Sequence, residues 1–129
     1  MDYREHYQEI RATGAGVVAI SVDAPDKSEV LWHELRLPFP ILCDAERRVI
    51  REWDIYNSRE RGGIAKPAVF VVERDRTVRY ASIDAVATRV PASEIVRILQ
   101  AAAEGQPVRR KVYIPRLAER FRAIRNMRR

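Results

Sequence analysis

Hydrophobic residues between positions 16 and 44 form two dense runs with an amphipathic segment between them. The first run, Val17 to Val22, is apolar at nearly every position, and the second covers Phe39 to Cys43. Such runs are typical of strands covered on both faces, as in parallel α/β sheets. A strand, a helix and a strand joined by short turns form the βαβ unit, so the pattern predicts an α/β fold built around this stretch.

The segment between the two runs, residues 26–37, is predicted to be a helix. Asp26 stands at the expected N-cap and Glu29 follows three residues later, which is a variant of the capping box. The apolar positions of this helix are expected at Val30, Leu31 and Leu35.

The remaining pattern predicts three more helices and a hairpin. Gly14 marks the end of an N-terminal helix with an apolar face, because glycine adopts the left-handed conformation that ends helices. Asp44 is expected to cap a helix whose Val49, Ile50 and Trp53 face inward. The predicted elements are a helix over residues 2–13, a helix over 45–53, a loop over 54–66, antiparallel strands over 67–72 and 77–83, and a helix over 91–104.

Charge divides the chain into two parts. The net charge is +6, yet residues 106–129 hold nine Arg/Lys against one acid, so residues 1–105 are close to neutral. We therefore expect a domain over 1–105 and a basic tail over 106–129, and the high pI does not indicate a nucleic-acid-binding fold. An apolar stripe in the tail is surrounded by four arginines: Arg116, Arg120, Arg122 and Arg125.

This tail pattern is typical of a basic amphipathic helix. It leaves three interpretations open: packing on the body or across a dimer, binding of an anion or partner such as nucleic acid or an anionic membrane, and disorder. Packing is the expectation we carry forward.

Cys43 is the only cysteine, so the chain forms no internal disulfide. A single thiol and a charged N-terminus without a leader pattern favour a reducing cytoplasm. Free cysteine at the end of an apolar strand usually packs as a small hydrophobe, so we expect Cys43 to be buried. His6 and His33 stand too far apart from other ligands to indicate a metal site, and no cofactor motif is visible.

Three blocks of the sequence together resemble the peroxiredoxin-like (AhpC/TSA, redoxin) branch of the thioredoxin superfamily. They are GVVAISVDAP, LPFPILCD and PAVFVVERDRTVRY, in the order and spacing of that family, and the resemblance as a whole covers about residues 3–103. The resemblance implies a thioredoxin-like fold with a central mixed sheet flanked by helices. It also implies a redox function, either thiol-dependent peroxide reduction or disulfide exchange, with a thiol reductant as partner.

The resemblance also implies where the chemistry of the family lies. Its peroxidatic cysteine belongs to the first turn of the helix whose later part corresponds to residues 2–13, and Cys43 corresponds to a non-catalytic position. We therefore expect no catalytic residue in this chain and no peroxidase activity of its own. Pro67 corresponds to a cis-proline beside the active cysteines, so the resemblance implies a cis Lys66–Pro67 bond near the family active site.

One strand of the family fold has no counterpart in this sequence. It would lie between the strands at 17–22 and 67–72. Without it, we expect each of these two strands to have an edge whose backbone groups are unpaired. Three alternatives would account for these edges. The strand is encoded in an upstream segment before a misassigned Met1, it comes from another copy in a homodimer, or the two edges close on each other. We favour the first. The rival function is a non-enzymatic binding or structural module that uses the basic C-terminal helix.

Overall fold

The structure is a computed structural model that describes residues 2–60, 62–84 and 89–106. Short helices and strands alternate along the chain, as the sequence pattern predicts. In chain order they are α1 Asp2–Glu5, α2 Tyr7–Ala12, β1 Ala19–Ser21, α3 Pro25–Glu34, β2 Ile41–Cys43, α4 Arg48–Glu52, β3 Tyr56–Asn57, β4 Ile64–Ala65, β5 Ala68–Val72, β6 Val78–Ile83 and α5 Ala92–Ala103.

The described strands pair as three two-stranded sheets. β1 and β2 are parallel, with Ile20 opposite Leu42, and β5 and β6 are antiparallel, with Phe70 opposite Ala81. The βαβ unit and the hairpin are therefore confirmed. The third pair, β3 with β4, lies inside the segment predicted to be a loop. Each of these strands has two residues, which is too short for an alternating hydrophobic pattern to be visible in the sequence.

Helix α3 begins one residue earlier than predicted, at Pro25, and its N-cap is Ala24 without a side-chain bond. Proline suits the first helical position and forces the preceding residue into an extended conformation, so Pro25 rather than Asp26 sets the start. Asp26 thus lies in the first turn, and the predicted capping box is wrong. Val30 and Leu31 are exposed, and it is Ser28 that is buried against the rest of the molecule.

The helix predicted over 45–53 is shorter, Arg48 to Glu52, because Arg47 adopts a left-handed conformation with φ 58°. The side chain of Arg47 donates from Nε to the carbonyl of Gly63 at 2.8 Å, which ties this turn to the neighbouring loop. Ile50 is buried as predicted. Trp53 instead lies at the helix C-cap, half-exposed, with its ring edge-on to Phe70 at 4.6 Å between centroids.

The main described core lies between α5 and the hairpin. Tyr80, Val90, Ile95 and Ile98 form a buried cluster. The amphipathic period of α5 and the inward position of Tyr80 on β6 explain this packing. The predicted helix over 91–104 is confirmed within one residue at each end.

The N-terminal helix packs on this core in two pieces that meet at His6. Tyr3 Oη donates to the carbonyl of Val90 at 3.3 Å, and the Asp2 carboxylate accepts the backbone N–H of Ala92 at the start of α5. Gly14 has φ 85°, so the predicted left-handed end of this helix is confirmed. Within the described residues, no helix has the length and apolarity needed to cross a bilayer.

Candidate functional site

Cys43 is the last residue of β2, and its side chain is exposed. The prediction of a buried thiol is therefore wrong. Burial of a strand end requires elements on both faces, and among the described residues β2 pairs with one strand, β1, and packs mainly against α3. The apolar run around Cys43 predicted the strand but could not indicate what covers it.

The Lys66–Pro67 bond is trans, since the described residues contain no cis peptide bond. The cis assignment implied by the family resemblance is therefore wrong for this chain. The residues on both sides of this peptide bond form backbone hydrogen bonds with other segments of the chain. Lys66 N–H donates to the carbonyl of Ile55, and the Pro67 carbonyl accepts the N–H of Asp84, both at 2.7 Å. This trans geometry lets the chain pass directly from β4 into β5.

Asp44, next to Cys43, organises the turn that follows β2. Its carboxylate accepts the N–H of Arg48 at 2.9 Å and that of Ile50 at 3.0 Å, so Asp44 does bind the first N–H groups of α4 as predicted, although the N-cap residue itself is Arg47. Burial acts to raise the pKa of Asp44, but the backbone N–H groups of Ile50, Val49 and Arg48 outweigh it and lower the pKa below its ordinary value. The start of α4 is therefore already occupied by a carboxylate that belongs to the protein.

A second buried carboxylate, Asp84, was missed in the sequence. It follows β6, accepts the Ser82 hydroxyl at 2.7 Å and accepts the N–H of Val90 at 3.2 Å. Asp84 and Asp44 each accept a backbone N–H six residues later in the chain. The signal in the sequence is an aspartate directly after an apolar strand, and it is the same at position 84 as at position 44.

The two histidines lie apart. His6 Nδ1 is 3.0 Å from the carbonyl oxygen of Asp2, and this hydrogen bond raises the pKa of His6. His33 lies edge-on to the ring of Trp32, with 4.9 Å between ring centroids. In the described parts of the chain, no three His, Cys, Asp or Glu side chains come together as a metal site would require.

The arginines singled out in the tail, Arg116, Arg120, Arg122 and Arg125, lie outside the described residues. The structure places Cys43 at the end of β2 and Pro67 between β4 and β5, and brings neither to a helix start.

Comparison with known proteins gives these observations a context. The model of the AhpC/TSA family matches residues 1–81. Among curated relatives, peroxiredoxin 2 of Thermoplasma acidophilum is 24% identical over 106 residues, which are 77% of this chain and 52% of the relative. Alkyl hydroperoxide reductase C of Escherichia coli K12 is 27% identical over 106 residues, 78% of this chain and 55% of the relative. The chain thus spans about half the length of these relatives.

The solved structure of Mycobacterium tuberculosis AhpC superposes with a TM-score of 0.69 at 21% identity, over 80% of this chain and 58% of that one. This match confirms the predicted α/β, thioredoxin-like fold class.

Proposed function

Because this chain belongs to the AhpC/TSA family, we propose that it provides the scaffold of a thiol-dependent redox domain that reduces peroxides or exchanges disulfides. The observation that supports this proposal is the match of the family model to residues 1–81, which include the β1–α3–β2 unit, together with the match of the fold over 80% of this chain. The names of the relatives indicate a peroxidase activity for those proteins. For this chain it is a proposal that depends on a reactive cysteine.

We propose further that Cys43 is not that cysteine, so the 129-residue chain by itself does not turn over peroxide. Peroxidatic chemistry needs a thiolate, which proteins stabilise with helix N-termini or nearby cations. Cys43 instead ends a strand. The helix that follows begins at Arg48, and its first N–H groups already bond to Asp44.

The test is a peroxide-consumption assay with a thiol reductant, run on the wild-type chain and on Cys43→Ser. Neither is expected to exceed the background rate. A chimera that adds, before residue 1, a strand and a helix start with a cysteine, the elements that the family resemblance implies, is expected to gain peroxidase activity. Turnover by the wild-type chain that is lost in Cys43→Ser would make Cys43 catalytic and overturn the assignment.

The partners we propose are a thiol reductant and a further strand, from an upstream segment or from a second copy in a homodimer. Neither β1 nor β5 has a second partner strand among the described residues, and they do not pair with each other. Closure of these two edges on each other is therefore not what the structure shows. Analytical ultracentrifugation over a range of concentrations tests the homodimer, and a monomer at all concentrations would exclude it.

A non-enzymatic module that works through the basic C-terminal helix is not favoured by the comparisons, which connect the body of the chain with redox proteins. A body over 1–105 with a separate tail over 106–129, and a place in the cytoplasm, remain our proposals. Limited proteolysis tests the first, because a stable fragment that ends near residue 105 would support the division.

A further inference from the structure

One face of the parallel strand pair β1–β2 is apolar and exposed. Val18, Ile20 and Leu42 are 56%, 48% and 53% exposed. Ile20 and Leu42 are register partners, so their side chains lie next to each other on one face of the pair. Val18 comes two residues before Ile20, which places it on the same face. We call these three side chains the open face.

The other face of the same two strands is covered by α3. Side chains alternate along a strand, so Ile41 and Cys43 point away from the side of Leu42. Both line a groove whose opposite wall includes Trp32 of α3. Parallel sheets in α/β proteins are normally covered on both faces. Within the described residues, the open face therefore lacks the second layer that this architecture requires.

The described part of the chain ends on the side of the molecule where β1 begins. Helix α5 ends at Ala103, and its last turn lines a hollow together with Ala12 and Thr13 from the end of α2. Thr13 and Val18 are five residues apart in the sequence, so at most about 17 Å separates them. Residues 107–113 span up to about 24 Å when fully extended. A segment that begins after residue 113 can therefore reach the open face.

The sequence after residue 113 has an apolar side that matches this face. Leu117, Phe121 and Ile124 recur at intervals of four and three residues, which is the spacing of one face of a helix. Pro115 suits the first position of such a helix. A helix is about 10 Å wide and paired strands are about 4.8 Å apart, so one helix is wide enough to cover both strands.

Charge favours the same contact. Residues 106–129 carry a net charge of +8, from nine Arg/Lys and one acid, and residues 1–105 carry −2, from the remaining fifteen Arg/Lys and seventeen acids. Two exposed acids, Asp23 and Glu46, follow the carboxyl ends of β1 and β2. The strands of the open face therefore end at carboxylates that attract the arginines on either side of the apolar stripe in the tail.

We propose that residues 115–125 form a helix whose apolar side, Leu117, Phe121 and Ile124, packs on the open face of the same chain. This helix gives the parallel pair its second layer, and residues 107–113 link it to the body. The proposal concerns a face of the strand pair and leaves its edges free for a further strand. It does not depend on the redox function proposed above.

The test measures how easily iodoacetamide, a neutral thiol reagent, reaches a cysteine on the open face of the full chain. Cys43→Ser removes the native thiol, and Ile20→Cys then places a single thiol on the open face. Val30→Cys in the same background is the matched control, because Val30 is 57% exposed and lies on α3. Mass spectrometry follows alkylation of each variant in its folded state and in urea.

A tail that is docked in about nine of ten molecules slows alkylation of a thiol beneath it about tenfold. Relative to its rate in urea, we therefore expect Ile20→Cys to react about tenfold more slowly than Val30→Cys. The further changes Leu117→Ser and Phe121→Ser are expected to abolish this protection without an effect on the control. Circular dichroism establishes that each variant is folded.

Three results would overturn the proposal. Equal relative rates for Ile20→Cys and Val30→Cys would show that the open face is not covered. Protection that persists after Leu117→Ser and Phe121→Ser would assign the cover to a different segment. Protection that increases with protein concentration would assign it to a second copy of the chain.

Discussion

Replacement of Asp44 by alanine tests the junction that follows β2. The residue is 8% exposed, and its two carboxylate oxygens accept separate backbone N–H groups, those of Arg48 and Ile50. Its own N–H donates to the carbonyl of Ser21 on β1 at 2.7 Å. Asp44 thus connects the parallel strand pair with the start of α4, and its side chain is the part that alanine removes.

The expected cost follows from these bonds. Loss of a helix cap costs about 0.5–2 kcal/mol. The N–H of Ile50 would in addition be left buried without an acceptor, which costs about 1–3 kcal/mol. We expect Asp44→Ala to lower the free energy of unfolding by about 2–4 kcal/mol and Asp44→Asn by about half as much, because an amide keeps one acceptor oxygen.

The dependence on pH has a defined sign. The pKa of Asp44 is lower in the folded state than in the unfolded chain, so its charged form stabilises the fold above its ordinary pKa of about 3.9. This contribution is lost as the pH falls through the lower, folded-state value. The stability difference between wild type and Asp44→Asn is therefore expected to be full near neutral pH and to shrink below about pH 4.

The assay is urea denaturation followed by circular dichroism at a series of pH values. Glu46→Ala is the matched control, because Glu46 is a neighbouring carboxylate whose side chain is 79% exposed and forms a surface ion pair with Arg48. Its effect is expected to stay within about 0.5 kcal/mol. A cost for Asp44→Ala no larger than that of the control would refute the capping argument.

Three further predictions concern the thiol and the core. Cys43 is expected to react with a thiol reagent in the folded protein at a rate close to that in denaturant, because it is exposed, and strong protection measured by absorbance would contradict this. Ile98→Ala is expected to cost about 2–5 kcal/mol in urea denaturation, since Ile98 is 2% exposed, whereas Val30→Ala at an exposed position changes stability by less than about 0.5 kcal/mol. Burial, with Asp2, Tyr80 and Asp84 nearby, raises the pKa of Tyr3 to about 12. The stability that the protonated Tyr3 contributes below pH 10 is therefore expected to be lost as the pH rises toward 12, and this loss is expected to be smaller in Tyr3→Phe.

The parts of the fold that depend on local sequence could be predicted. Gly14 ends the first helix, Asp44 caps α4, and the antiparallel hairpin and α5 lie close to their predicted positions. Each of these features depends on residues that are close together in the sequence, so the local sequence contains all the information needed to predict it. The same reasoning failed where two local signals compete, as at Pro25 and Asp26, because the fixed φ of proline determined the helix start.

Burial could not be predicted to the same extent, because it depends on elements that the local pattern does not contain. Val18, Ile20 and Leu42 belong to apolar runs and are nevertheless about half-exposed. The burial expected for Cys43 comes from its apolar neighbours in the sequence, and the cis bond expected at Pro67 comes from the family resemblance. Neither signal contains the elements that surround these residues in the structure.

The open sheet edges bear directly on the proposal that Cys43 is not the reactive cysteine. Isolated two-stranded ribbons are marginally stable, and unpaired edges recruit further strands. One extended segment between β1 and β5 would join the parallel pair and the hairpin into a single sheet. The family resemblance implies that the strand expected there directly precedes the helix start with the reactive cysteine. We therefore propose that the same segment, whichever polypeptide supplies it, completes the sheet and brings that cysteine.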